Sequence, residues 1–101
     1  MSGQIKRAQF TLPPRLKTLL MDFVDRTQRL TPAEWAIFQL YIEGRTLEQV
    51  AADTGISLNT AKKHNTNINR KLEVTNREEL QLYIEVFRCC ERVELLQIRG
   101  R

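Results

Sequence analysis

Signals that start and stop helices recur at short intervals along this sequence, and they limit the chain to short helices joined by tight loops. Thr, Ser or Asn can cap a helix N-terminus, most clearly where Glu or Gln follows three residues later. Gly can end a helix in the left-handed conformation. The start signals are residues 31–34 (Thr-Pro-Ala-Glu), Thr46 with Gln49, Ser57, and Asn76 with Glu79, and the stop signals are Gly44 and Gly55.

An additional helix precedes the first of these signals. Apolar residues recur with helical spacing at Leu16, Leu19, Leu20, Phe23 and Val24. No segment alternates apolar and polar residues as a half-buried strand does, and no Asn-Gly or Asp-Gly hairpin turn is present. The sequence therefore predicts an all-α fold with five helices.

The chain divides into four predicted segments. We expect a flexible N-terminus (1–13), an accessory amphipathic helix (14–29), a main helical domain (30–97) and a short tail (98–101). Within the main domain, one helix is predicted over about 57–72, and an extended C-terminal helix over about 76–97.

Composition excludes several classes of protein. A chain of 101 residues that is 42% hydrophobic can bury one small core, and it has no apolar run long enough to span a membrane. Cys89 and Cys90 are adjacent and there is a single histidine, so no metal site is predicted. No set of side chains typical of catalysis is present. We therefore expect a cytoplasmic, non-enzymatic protein with no cofactor and no membrane contact by this segment.

Positive charge is concentrated in one region. Residues 45–77 hold six basic and three acidic side chains, and residues 56–72 hold four basic side chains and no acid. On a helical wheel, Ala61, Ile68 and Leu72 share one side. The opposite side and its flanks carry the polar and basic residues, namely Asn59, Lys62, Lys63, His64, Thr66, Asn69, Arg70 and Lys71. This pattern predicts a localised anion-binding surface.

The segment before this helix has the spacing of a helix-turn-helix. Small Ala51 lets two helices approach, Gly55 supplies the turn, and Ile56 and Ala61 enter the shared core. The second helix of such a unit enters the DNA major groove, where Lys bonds guanine and Asn bonds adenine. Acidic residues would repel phosphates there. Double-stranded DNA is therefore the predicted partner.

A long ordered motif strengthens this interpretation. It reads Leu30-Thr31-Pro32-x-Glu34, Gly44-x-Thr46, Ile56-Ser57-x-x-Thr60-x-Lys62-x-His64 and Ile68-x-x-Lys71-Leu72-x-Val74-x-Asn76-Arg77-x-Glu79-Leu80. Over about residues 30–84 the chain resembles the LuxR/FixJ-type (GerE-like) DNA-binding domain of bacterial transcription regulators. The resemblance implies a four-helix unit that reads the major groove with its third helix, usually as a homodimer. Glu73 stands where that family usually has a glycine.

The resemblance also implies roles for individual residues. Base contacts are expected from Lys62, Lys63 and Thr66. Contacts to the DNA backbone are expected from Thr46, Asn59, Thr60, His64, Arg70, Lys71 and Arg77. The final helix is expected to form the dimer interface through Leu80, Tyr83, Ile84 and Phe87, and RNA polymerase is a further candidate partner.

Two other interpretations fit part of the sequence. The promoter-binding region 4 of a sigma factor shares the helical turn and the basic helix. A helical protein-interaction module that has lost DNA binding fits the departures from the family pattern at Thr54, Ala61 and Glu73. The acid-free face over residues 56–72 favours DNA binding over this last alternative.

Overall fold

The computed structural model describes residues 12–100, and over that range it is all-helical, with no strand. The all-α prediction is therefore confirmed. The predicted flexible segment 1–13 lies mostly outside the described residues, as does the last residue of the predicted tail. The helices are α1 (Pro14–Thr27), α2 (Pro32–Ile42), α3 (Leu47–Thr54), α4 (Leu58–Leu72) and α5 (Arg77–Cys89), and a 3₁₀ helix spans Val93–Leu96.

Local sequence accounts for the starts of the four later helices. Thr31 and Thr46 each form a complete capping box. The threonine hydroxyl accepts a hydrogen bond from the backbone N–H of the third helical residue, and the side chain of that residue accepts one from the backbone N–H of the threonine. Ser57 and Asn76 accept from the backbone of Thr60 and Glu79 in the same way. These caps satisfy N–H groups that no helix can satisfy internally.

The ends of α3 and α4 are left-handed turns. Gly55 has a φ of 73° and ends α3, and Glu73 has a φ of 59° and ends α4. After α4, the N–H groups of Glu73 and Val74 donate to carbonyls of its last turn. Only glycine adopts this conformation without a steric penalty, so Glu73 makes a less favourable end than the usual glycine would.

The C-terminal helix is shorter than the sequence indicates. It was expected to reach about residue 97, but α5 ends at Cys89. Glu91 takes a φ of 58°, and the N–H of Arg92 donates to the Phe87 carbonyl at 2.8 Å. This left-handed turn redirects the chain, and Leu96 in the following 3₁₀ helix is fully buried. The apolar spacing beyond Cys89 therefore reflects a second, separate packing element.

The core forms where α1 and the C-terminal segment close over the central helices. Phe23 of α1 is fully buried, and its ring stacks on Tyr83 of α5 with centroids 4.3 Å apart. The C-terminal segment is tied back by hydrogen bonds, since Gln39 donates to the Leu96 carbonyl and Arg99 donates to the Leu30 carbonyl. The accessory helix is thus an integral part of the fold.

Candidate nucleic-acid interface

Helices α3 and α4 form the predicted helix-turn-helix. The N–H of Ile56 donates to the Ala51 carbonyl at 3.1 Å across the turn at Gly55. Val50 and Ala61 are fully buried on the facing sides of the two helices. Since α4 is held against α3 along its apolar side, its polar side is left facing outward.

The outward side of α4 collects most of the residues that the sequence singled out. Lys62, Lys63 and Arg70 are exposed, and none of them is in an ion pair within residues 12–100. His64 is half-buried at the flank. Further exposed residues on α4 are Asn59, Thr60 and Thr66. Helix α4 therefore presents three uncompensated positive charges and several hydrogen-bonding groups on one surface.

Hydroxyl and amide groups on this surface are partly engaged in local bonds. The Thr60 hydroxyl accepts from Ser57 at 2.9 Å, and the Thr66 hydroxyl donates to the Lys62 carbonyl at 3.1 Å. Arg70 donates to the Asn67 amide oxygen at 3.2 Å. All three bonds are exposed, so these side chains can exchange them for contacts to a ligand at little cost.

Thr46 lies outside α4, at the start of α3. Its side chain is exposed and its hydroxyl accepts the Gln49 N–H at 3.1 Å as the N-cap. The hydroxyl oxygen is therefore already occupied by the helix that it caps, and its expected backbone contact to DNA remains a prediction.

Lys71 is placed differently from its expected role as a DNA-backbone contact. Its ammonium group lies 2.7 Å from Glu34 Oε1, and the Glu34 side chain is only 5% exposed. The same oxygen accepts the Thr31 N–H at 2.9 Å and so completes the cap of α2. A buried carboxylate needs a partner cation. Lys71 therefore connects α4 to α2 and is not a free charge on the surface, and its expected contact to the DNA backbone stays a prediction.

The ionisation of Glu34 reflects this arrangement. Burial on its own raises the pKa of the Glu34 carboxyl, but the hydrogen bonds from Lys71 and Thr31, with the charge of Lys71, outweigh burial and lower it below its usual value. Glu34 is thus a carboxylate at neutral pH, and the pair is ionic.

Arg77 also differs from the expectation of a phosphate contact. Its guanidinium lies over the Tyr41 ring, with Cζ 4.7 Å from the centroid, and donates to the Arg45 carbonyl. Its Nε is buried and has no hydrogen-bond partner in residues 12–100. The side chain therefore packs against the protein, because the flat guanidinium finds an aromatic surface there.

Asn65, on the side of α4 that faces the core, has a polar partner inside the protein. Asn65 accepts a hydrogen bond of 2.7 Å from the hydroxyl of Tyr41, a residue that is otherwise fully buried. A buried phenol needs such a partner. Burial raises the pKa of the Tyr41 hydroxyl, although the nearby Arg77 opposes that shift. Helical spacing alone did not reveal this pairing, because the partner is 24 residues distant in sequence.

The residues expected at a dimer interface are mostly buried within the chain itself. Leu80 and Ile84 are fully buried, Phe87 is 2% exposed, and Tyr83 stacks on Phe23. The apolar stripe of α5 that the sequence indicates is therefore covered by α1 and the core, and in this conformation it is not available to a second chain. Sequence reasoning missed the large hydrophobic residue of α5 that is exposed, Leu82, at 66%.

Other types of site were sought in the same residues. Between residues 12 and 100, no group of His, Cys, Asp and Glu side chains is arranged to hold a metal ion. None of the helices there has the length and apolar character needed to cross a bilayer.

Comparison with known proteins identifies the family. The family model described as "Bacterial regulatory proteins, luxR family" matches residues 28–84. The HTH-type transcriptional regulators MalT of Vibrio campbellii, Vibrio parahaemolyticus and Vibrio cholerae are each 37% identical over 75 residues, which is 74% of this chain. The chain spans about 7% of the length of these curated relatives.

The residues matched by the family model include the helix-turn-helix formed by α3 and α4. No solved structure matches the chain significantly. The family model extends over α2, α3 and α4 and into α5, and it begins directly after α1. Because this model accounts for more than half of the sequence, the chain belongs to the luxR family of bacterial regulatory proteins.

Proposed function

We propose that this chain is the DNA-binding unit of a bacterial transcription regulator. Helix α4 enters the major groove of double-stranded DNA, where Lys62, Lys63 and Thr66 contact base edges. Asn59, Thr60, His64 and Arg70 contact the backbone beside them. The names of the relatives, which are transcriptional regulators, support this function, as does membership of the family.

One observation carries the proposal. Of the four basic residues in α4, Lys71 is neutralised by the buried Glu34, whereas Lys62, Lys63 and Arg70 have no carboxylate partner among residues 12–100. A helix that only needed to be stable would gain from acidic partners on its exposed side. Uncompensated cations beside amides and hydroxyls are the groups that a phosphate-lined groove requires.

We further propose that the chain binds DNA as a homodimer, in the cytoplasm where bacterial DNA lies. Because the apolar stripe of α5 is buried, a dimer contact on this helix would use its exposed side, around Leu82. A single leucine is a small contact, so we expect the dimer to be weak in solution and to form mainly on a two-fold DNA site. We also propose RNA polymerase as a partner of the regulator, on the basis of family membership.

The first experiment measures binding to a randomised duplex pool by fluorescence anisotropy at two salt concentrations. The double variant Lys62→Ala/Lys63→Ala is the test. The matched control is Arg15→Ala/Lys17→Ala, which removes two exposed cations from α1. We expect salt-dependent binding by the wild type and the control. The double variant should lose at least about tenfold in affinity for the site selected from the pool, since each good base contact contributes about 1–3 kcal/mol of discrimination there. Sequencing the bound pool then gives the site and its symmetry.

Each outcome has a defined meaning. Equal losses in the double variant and the control would indicate non-specific attraction to positive charge and would refute the role of α4. No binding by the folded wild type at low salt would favour a protein-interaction module. For the dimer, the wild type should bind the two halves of a two-fold duplex cooperatively, and Leu82→Glu should remove that cooperativity while each half-site still binds one chain.

A further inference from the structure

Helix α1 lies before the residues that the family model matches, so family membership assigns it no role. We propose that α1 positions the recognition helix α4 for DNA, and that Arg26 is the positioning residue, acting through its hydrogen bond to the end of α4. This inference rests on the proposed DNA-binding function. It adds a residue from outside the matched domain to the binding unit.

The contact joins two distant parts of the sequence. Arg26 Nε donates to the carbonyl of Leu72, the last residue of α4, at 2.8 Å, and the two residues are 46 positions apart. Carbonyls in the last turn of a helix have no partner within the helix, and a cation is favourable there because of the helix dipole. Arg26 supplies both a donor and a charge at that position.

The C-terminal end of α4 has an unfavourable backbone conformation, so contacts from other parts of the chain can stabilise it. Glu73, directly after the helix, adopts a left-handed conformation with a φ of 59°, which is unfavourable for a residue with a side chain. Arg29, just beyond α1, reaches the Glu73 carboxylate at 3.1 Å, but both side chains are more than half exposed. An exposed pair contributes little, so the partly buried Arg26 bond is the stronger of the two constraints.

Arg26 packs against an aromatic ring that is itself buried and fixed in position. Phe23, one turn earlier in α1, is fully buried and stacks on Tyr83 of α5 with an interplanar angle of 5°. The Arg26 guanidinium carbon lies 5.6 Å from the centroid of the Phe23 ring. Helix α1 therefore connects α5 to the C-terminal end of α4, the end that carries the exposed Arg70. Movement of this end would shift the DNA-facing cations relative to the rest of the domain.

The test compares Arg26→Gln and Arg26→Lys with Arg15→Gln, which removes the same kind of side chain from an exposed position in the first turn of α1. All variants are measured at a temperature at which circular dichroism shows each to be fully folded. Affinities for the duplex selected by the wild type and for a random duplex are measured over a range of salt concentrations. Amide hydrogen exchange in the last turn of α4 is measured without DNA.

Positioning predicts a specific combination of results. Arg26→Gln should lower the ratio of specific to random affinity by about 2- to 30-fold, with an unchanged salt slope. Exchange in the last turn of α4 should become about tenfold faster because a charge-assisted hydrogen bond is lost. Arg26→Lys should recover part of both effects, since it keeps a cation that can donate. Arg15→Gln should match the wild type in both measurements.

Three results would overturn the inference. A salt slope lowered by about 1 would make Arg26 a phosphate contact. An unchanged specificity ratio would restrict α1 to stabilising the fold. Unchanged exchange would mean that Arg26 does not hold the end of α4 in solution. If the wild type binds no duplex, the proposed function itself fails, and the exchange measurement then shows separately whether the Arg26 bond exists.

Discussion

Replacement of Lys71 by Met tests the contact that most clearly separates the structure from the sequence-based expectation. The Lys71 ammonium lies 2.7 Å from Glu34 Oε1, with side-chain exposures of 24% and 5%. Methionine keeps most of the apolar length of the side chain and removes the charge. Glu34 would then be a buried carboxylate with no cation beside it.

The expected loss of stability follows from that geometry. Removing one partner of a fully buried ion pair costs about 3–5 kcal/mol. Here Lys71 is partly exposed, and Glu34 keeps its hydrogen bond from the Thr31 N–H. We therefore expect the free energy of unfolding to fall by about 2–3 kcal/mol, a value scaled down from that range. With a urea m-value of about 1 kcal/mol/M, the midpoint should fall by about 2–3 M.

The loss should depend on pH in a defined direction. In the wild type the pKa of Glu34 is lowered in the folded state, so the pair stabilises the protein above the unfolded pKa, and this contribution is lost as pH falls through the folded pKa. In the variant the two effects of Lys71 that lower the pKa of Glu34 are lost, so its folded pKa is higher than in the wild type, and the neutral acid is tolerated at low pH. The difference in the free energy of unfolding between the wild type and Lys71→Met should therefore be largest near neutral pH, and it should shrink towards about pH 4.

Urea unfolding monitored by circular dichroism measures both effects. Arg70→Met is the matched control, because Arg70 is the exposed neighbour of Lys71, and it should change stability by no more than about 0.5 kcal/mol. Adding Glu34→Gln to Lys71→Met should restore part of the loss, since glutamine keeps the capping bond but has no charge. Equal losses in the variant and the control, or a loss that does not shrink on acidification, would refute the buried ion pair.

Three more predictions follow from the same structure. Arg70→Ala should lower the slope of log affinity against log salt by about 1; an unchanged slope in a binding titration would exclude a phosphate contact. Glu73→Gly should raise the free energy of unfolding by about 1 kcal/mol because it relieves the left-handed turn; a lower midpoint in urea would contradict this. Arg77→Ala should destabilise the fold by about 1–2 kcal/mol, through lost contacts to Tyr41 and the Arg45 carbonyl, with no effect on the salt slope; the reverse pattern would restore Arg77 as a DNA contact.

Much of this site could be predicted from sequence because its signals are local. A capping residue and its partner are three positions apart, so Thr31, Thr46 and Asn76 can be read directly. The inward side of α4 follows from helical spacing, and Ala61 and Ile68 are indeed fully buried. The same spacing placed Lys62 and Lys63 outward.

Other features depended on residues far apart in sequence. Helical spacing put Lys71 on the flank of α4, and only the packing of α2 brought the buried Glu34 beside it. Spacing also predicted an apolar stripe on α5, but it could not say whether a second chain or α1 covers that stripe. The stacking of Phe23 on Tyr83 shows that α1 does.

The sequence by itself determined the helical class, the starts of α2 to α5 and the acid-free surface of α4, because caps and periodicity act within a few residues. The tertiary structure decided which of the basic side chains predicted to contact DNA are engaged by other parts of the chain and which face solvent. Lys71 and Arg77 are engaged by the protein, whereas Lys62, Lys63 and Arg70 face solvent. That distinction required three-dimensional packing, because the desolvation of a charge depends on its neighbours in space and not on its neighbours in sequence.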